Sequence, residues 1–570
     1  MADFIKTQNS FSNGEVSPEF FSHDNINGLS KLENMDVLAS GALSRRHGLT
    51  QIEQLRGDAR LIPFSVADGE DYIIAMTDMH MYIFYGKERF QDLKTPWPYD
   101  ALPMIQYAQR FGTMFFVHPD FPPYVLKKRE NVFDIERFSF EITETFQQKI
   151  PFMKFDDSEN IRIQLSPHTK GSNYVIFTTN ESFWIPSCVG SRLLLLENQW
   201  EITEYLSPTQ VVAYVNATYS MPDGWVLDWY ESAFSERRGW PRSVTFHQDR
   251  LIFGGSRDWP SGLWMSQVGR HRNFDAGTGL DDEAIFVSLL SQERQQINTL
   301  VSSDNLQILT NSGEWAIASK PLTPTNVDIK QHTFVGSYMT RVLPPQKIEG
   351  STVFIAGNGR DIRELSLDEI GENYNANDLC AFAKHLMTTP IDVAYNQDTR
   401  QLFVVRDDGK MAVLNQNAAL GISAWGTYVT DGIFKSVGVC DGITYTVTQR
   451  GDSVFLEYFD DKSLIDAGEY NFTFCASGLP MRSSGHNATR IKVRKISARI
   501  INTKSIYINQ HRITLPDYVY DKDSSGYNGD VCLNQLGIMQ NTIEPLWTVQ
   551  GIEPFCATIL SVTVYGWYTV

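Results

Sequence analysis

The chain has 570 residues, 42% of them hydrophobic and 12% aromatic, too many for one core of ordinary size, so about two to four domains or one large β architecture are expected. Its 49 basic and 67 acidic residues leave a net charge of −18, which argues against a surface built to grip nucleic acid, since that needs a basic footprint. The same balance suits a large protein kept in solution by its charge, or a surface past which DNA slides without sticking.

Six cysteines, Cys188, Cys380, Cys440, Cys475, Cys532 and Cys556, include no C-x-x-C pair and no histidine at zinc spacing. They read as reduced, mostly buried thiols of a chain made in a cytoplasm. The opening Met1-Ala2-Asp3-Phe4-Ile5-Lys6 has no apolar run behind a basic start, so no export signal is expected. No run of about 18 apolar residues occurs, so no membrane insertion is expected either.

Residues 1–60 are polar and turn-rich. The run Phe11-Ser12-Asn13-Gly14-Glu15-Val16-Ser17-Pro18 has neither helical nor strand period and reads as an extended arm or clasp that a neighbour must order. From about residue 60 one pattern recurs: a short apolar strand, a Gly, Asp or Asn turn, and another apolar strand. Tyr72-Ile73-Ile74-Ala75-Met76 precedes Met81-Tyr82-Ile83-Phe84. Val244-Thr245-Phe246 leads through Gln248-Asp249 to Leu251-Ile252-Phe253 and on to Leu263-Trp264-Met265. Similar units follow around 297–317, 352–365, 391–414 and 443–457, and one precedes them at 104–117. Roughly seven such units, each with hairpin turn chemistry, are how a β-propeller is written in sequence. A pair of unrelated β-sandwiches is the alternative; the shared internal order of the units favours the propeller.

The spacing breaks once, between 141 and 235. Ile161-Arg162-Ile163-Gln164-Leu165, Tyr174-Val175-Ile176-Phe177 and Leu193-Leu194-Leu195-Leu196 lie there and read as an inserted β domain. After about 470 the composition shifts again, and runs such as Ser561-Val562-Thr563-Val564-Tyr565 predict a final β domain. Helix is scarce; residues 378–385 are one short candidate, with Asp378 as its N-cap. The expected organisation is therefore mainly β: an arm at 1–60, an irregular propeller platform at 61–140 and 236–470, an insertion at 141–235 and a C-terminal domain at 471–570.

Motifs for chemistry are sparse. There is no G-x-S-x-G elbow, no phosphate loop and no H-E-x-x-H. His247-Gln248-Asp249-Arg250 could do acid–base work, but between two strand-like runs it reads as a turn. Asp281-Asp282-Glu283 and Asp156-Asp157-Ser158-Glu159 offer carboxylates to a hard cation without calcium-loop spacing, and read as solvated charge. Trp240, Trp264, Trp315 and Trp425 follow turn or loop starts and read as packing between sheets. Neither catalysis nor a cofactor or metal is expected.

Several runs resemble one family. Phe11 to Pro18 is similar to an "F-x-x-G-E-[LV]-S-P" opening, and Leu32-Glu33-Asn34-Met35 with Gly41-Ala42-Leu43-Ser44-Arg45-Arg46-His47-Gly48 to its continuation. Phe234-Ser235, Arg238-Gly239-Trp240-Pro241 and the stretch Phe246 to Ser256, with Arg250, Gly254 and Gly255, resemble its central signature. Further matches follow in order to Asp378-Leu379 and His385-Leu386. The family is that of the short-tailed (podovirus) phage tail nozzle, or tail tubular protein B.

The resemblance implies a virion tail protein assembled in the host bacterial cytoplasm. It implies a homohexameric ring below the portal and its adaptor (the head-to-tail connector), a platform for tail fibres or spikes, and a channel through which phage DNA passes without specific binding. Phe11, Asn13, Gly14, Glu15 and Pro18 are the candidates for contact with the adaptor or a neighbouring subunit. Asp156, Asp157 and Glu159 are the candidates for the channel wall, where negative charge would repel phosphates. Arg238, Gly239, Trp240, Pro241, Arg250, Gly254 and Gly255 are expected to be structural. The alternative is a propeller enzyme or binding protein acting on host surface polysaccharide.

Overall fold

Alternating or continuous apolar runs bounded by tight turns favour strands, and the chain is almost entirely β. The computed structural model describes residues 2–21, 26–66, 69–144, 147–368, 373–480, 490–520, 525–534, 538–540 and 544–569. Each of the seven repeating units is an antiparallel meander of four strands among these residues. Among the described residues, five two-residue hairpins have both central residues at positive φ, at Leu196-Glu197, Gln248-Asp249, Glu349-Gly350, Asp441-Gly442 and Asn509-Gln510, the type I′ geometry that matches strand twist.

The chain divides into two compact units, Met1–Leu102 with Leu343–Val570, and Pro103–Val342. Both breaks fall inside the two segments assigned to the platform from the sequence. In the first unit the leading strands Gln346–Ile348, Pro390–Asn396, Ile433–Cys440 and Arg60–Ser65 lie side by side in that order. In the second, Gln106–Arg110, Ser243–His247 and Ile297–Ser302 do the same. Meanders stacked through their first strands bury the middle strands on both faces. Arg250–Gly254, Leu306–Thr310 and Gln401–Arg406 are buried at every position, which explains their largely apolar character. The outermost strand Glu88–Lys94 is largely exposed and polar.

An eight-stranded antiparallel sheet, running from Phe152–Met153 to Trp229–Ser232, is inserted between two meanders of the second unit. Its core includes Phe177, Trp184, Leu193, Trp200, Ala213 and Trp229.

The opening 60 residues differ from the arm expected of them. Gly48–Leu55 pairs with Ser453–Asp460 and supplies the fourth strand of the last meander. Ala2–Gln8, Met35–Val37 and Leu43–Arg45 join the long C-terminal strands Arg490–Thr503 and Thr558–Thr569 in one sheet. Phe11, Leu29, Leu32 and Leu43 are wholly buried in the core of that region with Ile496, Trp547 and Val562. The segment is thus ordered by its own chain, because its few, widely spaced apolar residues fill a core made by the other end. The candidate helix at 378–385 is also corrected: Asp378 ends a strand, its carboxylate accepts the N–H of Cys380 at 3.0 Å, and only Lys384–Leu386 forms a 3-10 turn. No helix among the described residues is long and apolar enough to cross a membrane.

Candidate functional site

The opening motif builds a latch. Gly14 has φ +59, and a Cβ there would stand 2.4 Å from the Trp425 carbonyl oxygen, so only glycine fits. That turn aims Glu15 inward, where it is 8% exposed. One carboxylate oxygen accepts the Leu32 N–H at 2.7 Å, and the other meets His385 Nε2 at 2.9 Å. The Ser17 hydroxyl lies 2.8 Å from His385 Nδ1, and the Ser17 N–H donates to the Phe382 carbonyl at 2.6 Å. With Glu15 ionised, Nε2–H donates to it and Nδ1 accepts from Ser17. The order Ser–His–Glu has the outline of a nucleophile relay. However, Ser17 is 4% exposed, and the next residue, Pro18, brings no N–H to stabilise an oxyanion. The arrangement holds two segments together.

Of the residues proposed for contact with an adaptor or neighbour, Phe11 is in the core, edge-on to Trp547 at 6.2 Å between ring centres, while Gly14 and Glu15 face this chain's interior. They cannot form an outer contact while the latch is closed. Asn13 is half-buried, its side-chain oxygen accepting the Asn27 N–H at 3.1 Å. Pro18 is exposed and begins the 3-10 turn Pro18–Phe20. Sequence reasoning missed Ser17 and His385; their only signal was membership in the two matched runs.

A second cluster pins the insertion. Arg238 donates to Glu231 through Nε at 3.1 Å and again through Nη2, to Asp157 at 2.7 and 3.0 Å, and to Asp258 at 3.3 Å. Its guanidinium lies 4.1 Å from the Phe155 ring centre. Burial works against the charge, but Glu231 and Asp157 raise the Arg238 pKa above its ordinary value. Burial alone would also raise Asp157, yet Arg238 and Arg237 hold its carboxyl below the usual range. Asp157 is therefore half of an ion pair, although its side chain stays 54% exposed. Asp156 and Glu159, in and beside the same turn, are exposed.

The other structural residues behave as architecture. Gly239 has φ +85 and passes 2.7 Å, at a would-be Cβ, from the Arg257 Cβ. The Trp240 N–H donates to Pro119 O at 3.0 Å, and Pro241 is buried. Arg250 is wholly buried and donates to the carbonyls of Ser266, Glu283 and Asp281 at 2.8, 2.6 and 2.8 Å. Gly254 sits against Ser243, and Gly255, at φ +63, donates to Gly262 O at 2.8 Å.

The remaining candidates are already satisfied. His247 meets Ser302 at 2.9 Å and Gln248 at 3.4 Å, Asp249 pairs with Arg110, and Arg250 turns to the carbonyls above, so His247, Asp249 and Arg250 do not converge. Glu283 Oε2 accepts the N–H groups of Leu280, Thr278 and Gly279 at 2.8, 2.7 and 2.6 Å, which lowers its pKa and commits that oxygen to the turn. Asp361, Asp378 and Cys380 bring three ligand atoms within 4.8 Å of one another. Yet Arg363 lies 3.1 Å from Asp361, and Lys384 lies 3.3 Å from Asp378. Burial also pushes the Cys380 thiol up to about 12. A metal would have to displace two cations and ionise that thiol. All six cysteines are free, and Cys188, Cys380, Cys440 and Cys475 are buried. Trp264 and Trp425 are fully buried, with Trp315 and Trp240 nearly so.

No family model matches the chain, and no curated protein does. Solved structures to which it is similar include BamB from Moraxella catarrhalis, at 11% identity and a TM-score of 0.32, covering 73% of this chain and 98% of that one. The RRP9 WD40 repeats match at 8% identity and a TM-score of 0.34, covering 73% and 100%. YCF48 bound to D1 peptide matches at 11% and 0.34, covering 73% and 96%. Overlaps of this size carry nothing about function.

Proposed function

We propose that the chain is a structural component of a bacteriophage short tail: a nozzle subunit that rings the genome-ejection channel below the portal-adaptor and carries fibres or spikes. One observation supports this above the others. Five charged residues of the matched runs, Glu15, Arg45, Arg46, Arg238 and Arg250, are buried and bonded within their own chain, while Asp249 is exposed and Glu33 half-buried. A signature spent on internal pins describes a scaffold, whereas a catalytic signature would converge on a cleft with poised groups. The net charge of −18 fits a channel that DNA traverses without counterion release. In this reading Asn13 and Pro18 are what the opening motif leaves for an adaptor, and Asp156, Asp157 and Glu159 are the candidates for the channel wall, the charge of Asp157 being paired with Arg238.

Native mass measurement of the particle-derived tail complex, with an axial projection image, tests the proposal. A closed ring stacked coaxially on an adaptor is expected. A stable monomer without affinity for portal or adaptor rings would overturn it.

A further inference from the structure

The first unit contains a cleft that no tail role requires. It has a volume of about 250 Å³ and lies between residues 36–39, the loop at Thr399-Arg400 and the strand Met411–Asn417. Three consecutive residues of that strand line it, and each carries a buried polar atom with no hydrogen-bond partner: Asn415 Nδ2, Gln416 Oε1 and Asn417 Oδ1. Asn415 and Gln416 are 6% and 8% exposed. Buried polar groups left unmet are costly and rare, and three in a row beside one cavity call for an occupant.

The neighbouring groups are fixed in place. Gln401 Nε2 donates to Asp36 at 2.7 Å and to Asn415 Oδ1 at 3.2 Å, and Tyr428 donates its hydroxyl to the same Asp36 oxygen. The Asn415 amide is thereby oriented, with its nitrogen left to donate. The unmet set is one donor and two acceptors. An anion would satisfy only the donor, and a metal or ammonium ion only the acceptors. Hydroxyl groups satisfy both. The lining also has an apolar part, with Val37 and Ile422 buried and Leu38 39% exposed, beside Asp36, His47 and Arg400. A ring with hydroxyls on its edge and C–H groups on one face matches such a wall. The volume is below the roughly 300–1,000 Å³ of drug-sized sites, enough for one ring and not for a chain of them.

We propose that this cleft binds a single neutral saccharide unit, free or as the terminal residue of a glycan, through Asn415, Gln416 and Asn417 with Leu38 against its apolar face. The proposal does not rest on the ring reading, and a monomer that bound sugar would sink that reading while leaving this one standing.

The test is saturation-transfer NMR and calorimetry on the full chain with neutral hexoses, N-acetylhexosamines and their methyl glycosides. Saturable binding of at least one is expected, weakened at least tenfold by Asn417→Leu. As a control for misfolding of that variant, Leu38→Arg, at an exposed position, provides a second arm that blocks the mouth and leaves the polar groups intact. Retained binding of the methyl glycoside would identify a glycan terminus as the source, and its loss a free sugar. No saturable binding across the panel, equal binding by wild type and Leu38→Arg, or a crystal structure with sugar present but only water on the three groups would overturn the proposal.

Discussion

Arg46 and Asp466, 420 positions apart in the sequence, form a two-pronged ion pair with N–O distances of 2.9 and 2.8 Å and side chains 1% and 0% exposed. Asp466 also accepts the Leu49 N–H at 3.2 Å, and the guanidinium lies 3.6 Å from the Phe472 ring centre. At Gly48 a Cβ would stand 2.0 Å from the Ile465 carbonyl oxygen. The Arg45-Arg46-His47-Gly48 run is therefore the point at which the start of the chain is locked to its end. Removing one partner leaves a buried charge without compensation, which typically costs about 3–5 kcal/mol. Asp466→Asn should lower stability by that order in urea unfolding. A change within about 0.5 kcal/mol, the range of an ordinary surface substitution, would show that the pair is not a lock.

The latch at Glu15 gives a second prediction. Glu15→Lys places a cation among the Leu32 N–H and His385, where an acceptor is needed, and should release the segment around 11–17 while the meanders stay folded. Loss of one buried, charge-assisted bond costs about 1–3 kcal/mol. Hydrogen exchange should therefore rise in Gly14–Glu15 and Gly28–Leu29 and hold steady in Gln401–Arg406. If the tail reading holds, particles should also incorporate the variant poorly. Unchanged exchange in the opening segment would refute the latch.

These two contacts show where legibility ended. The meanders could be read because each is local: a strand, a two-residue turn such as Gln248-Asp249, and the strand that pairs with it. Their strands were visible as short apolar runs between turns. The opening segment looked like a free arm because Phe11, Leu29 and Leu32 are too far apart to show a period, and the core they join is built mostly from residues beyond 420. The same distance hid the pairing of Gly48–Leu55 with Ser453–Asp460. Asp157 is a surface carboxylate, as it looked, but nothing at its own position announces its pairing with Arg238. At the candidate cleft, Asn415-Gln416-Asn417 reads as the polar end of a strand, and only the fold shows that its amides are buried and unmet.

Asp36 carries a pH prediction. Burial raises its carboxyl pKa, against the lowering effect of the Tyr428 and Gln401 hydrogen bonds and of the nearby His47 and Arg46. The folded protein then holds this proton more tightly than the unfolded chain does. Its contribution to stability is present below the unfolded carboxylate pKa of about 3.9 and is lost as pH rises through the raised folded value. Asp36→Asn keeps an acceptor for Tyr428 and removes the titration. Across acidic to neutral pH, stability should therefore fall more steeply in wild type than in Asp36→Asn, with the variant at least as stable at neutrality. Parallel curves would contradict the assignment.

The Arg238 pin distinguishes an insertion that is held from one that is merely attached. Arg238→Met preserves much of the packing against Phe155 but leaves Glu231, 2% exposed, with only Arg237 at 3.6 Å. The expected loss is again about 3–5 kcal/mol, and Glu231→Gln in the same chain should restore part of it, since no unpaired carboxylate then remains. The loss should be local. Exchange should rise in Phe152–Met153 and Trp229–Ser232, where the insertion begins and ends, while Ile297–Ser302 and Leu306–Thr310 in the same unit keep their protection. If protection falls equally in those meander strands, Arg238 stabilises the unit as a whole. The Arg238-Gly239-Trp240-Pro241 run would then be a core element and not the return from the insertion.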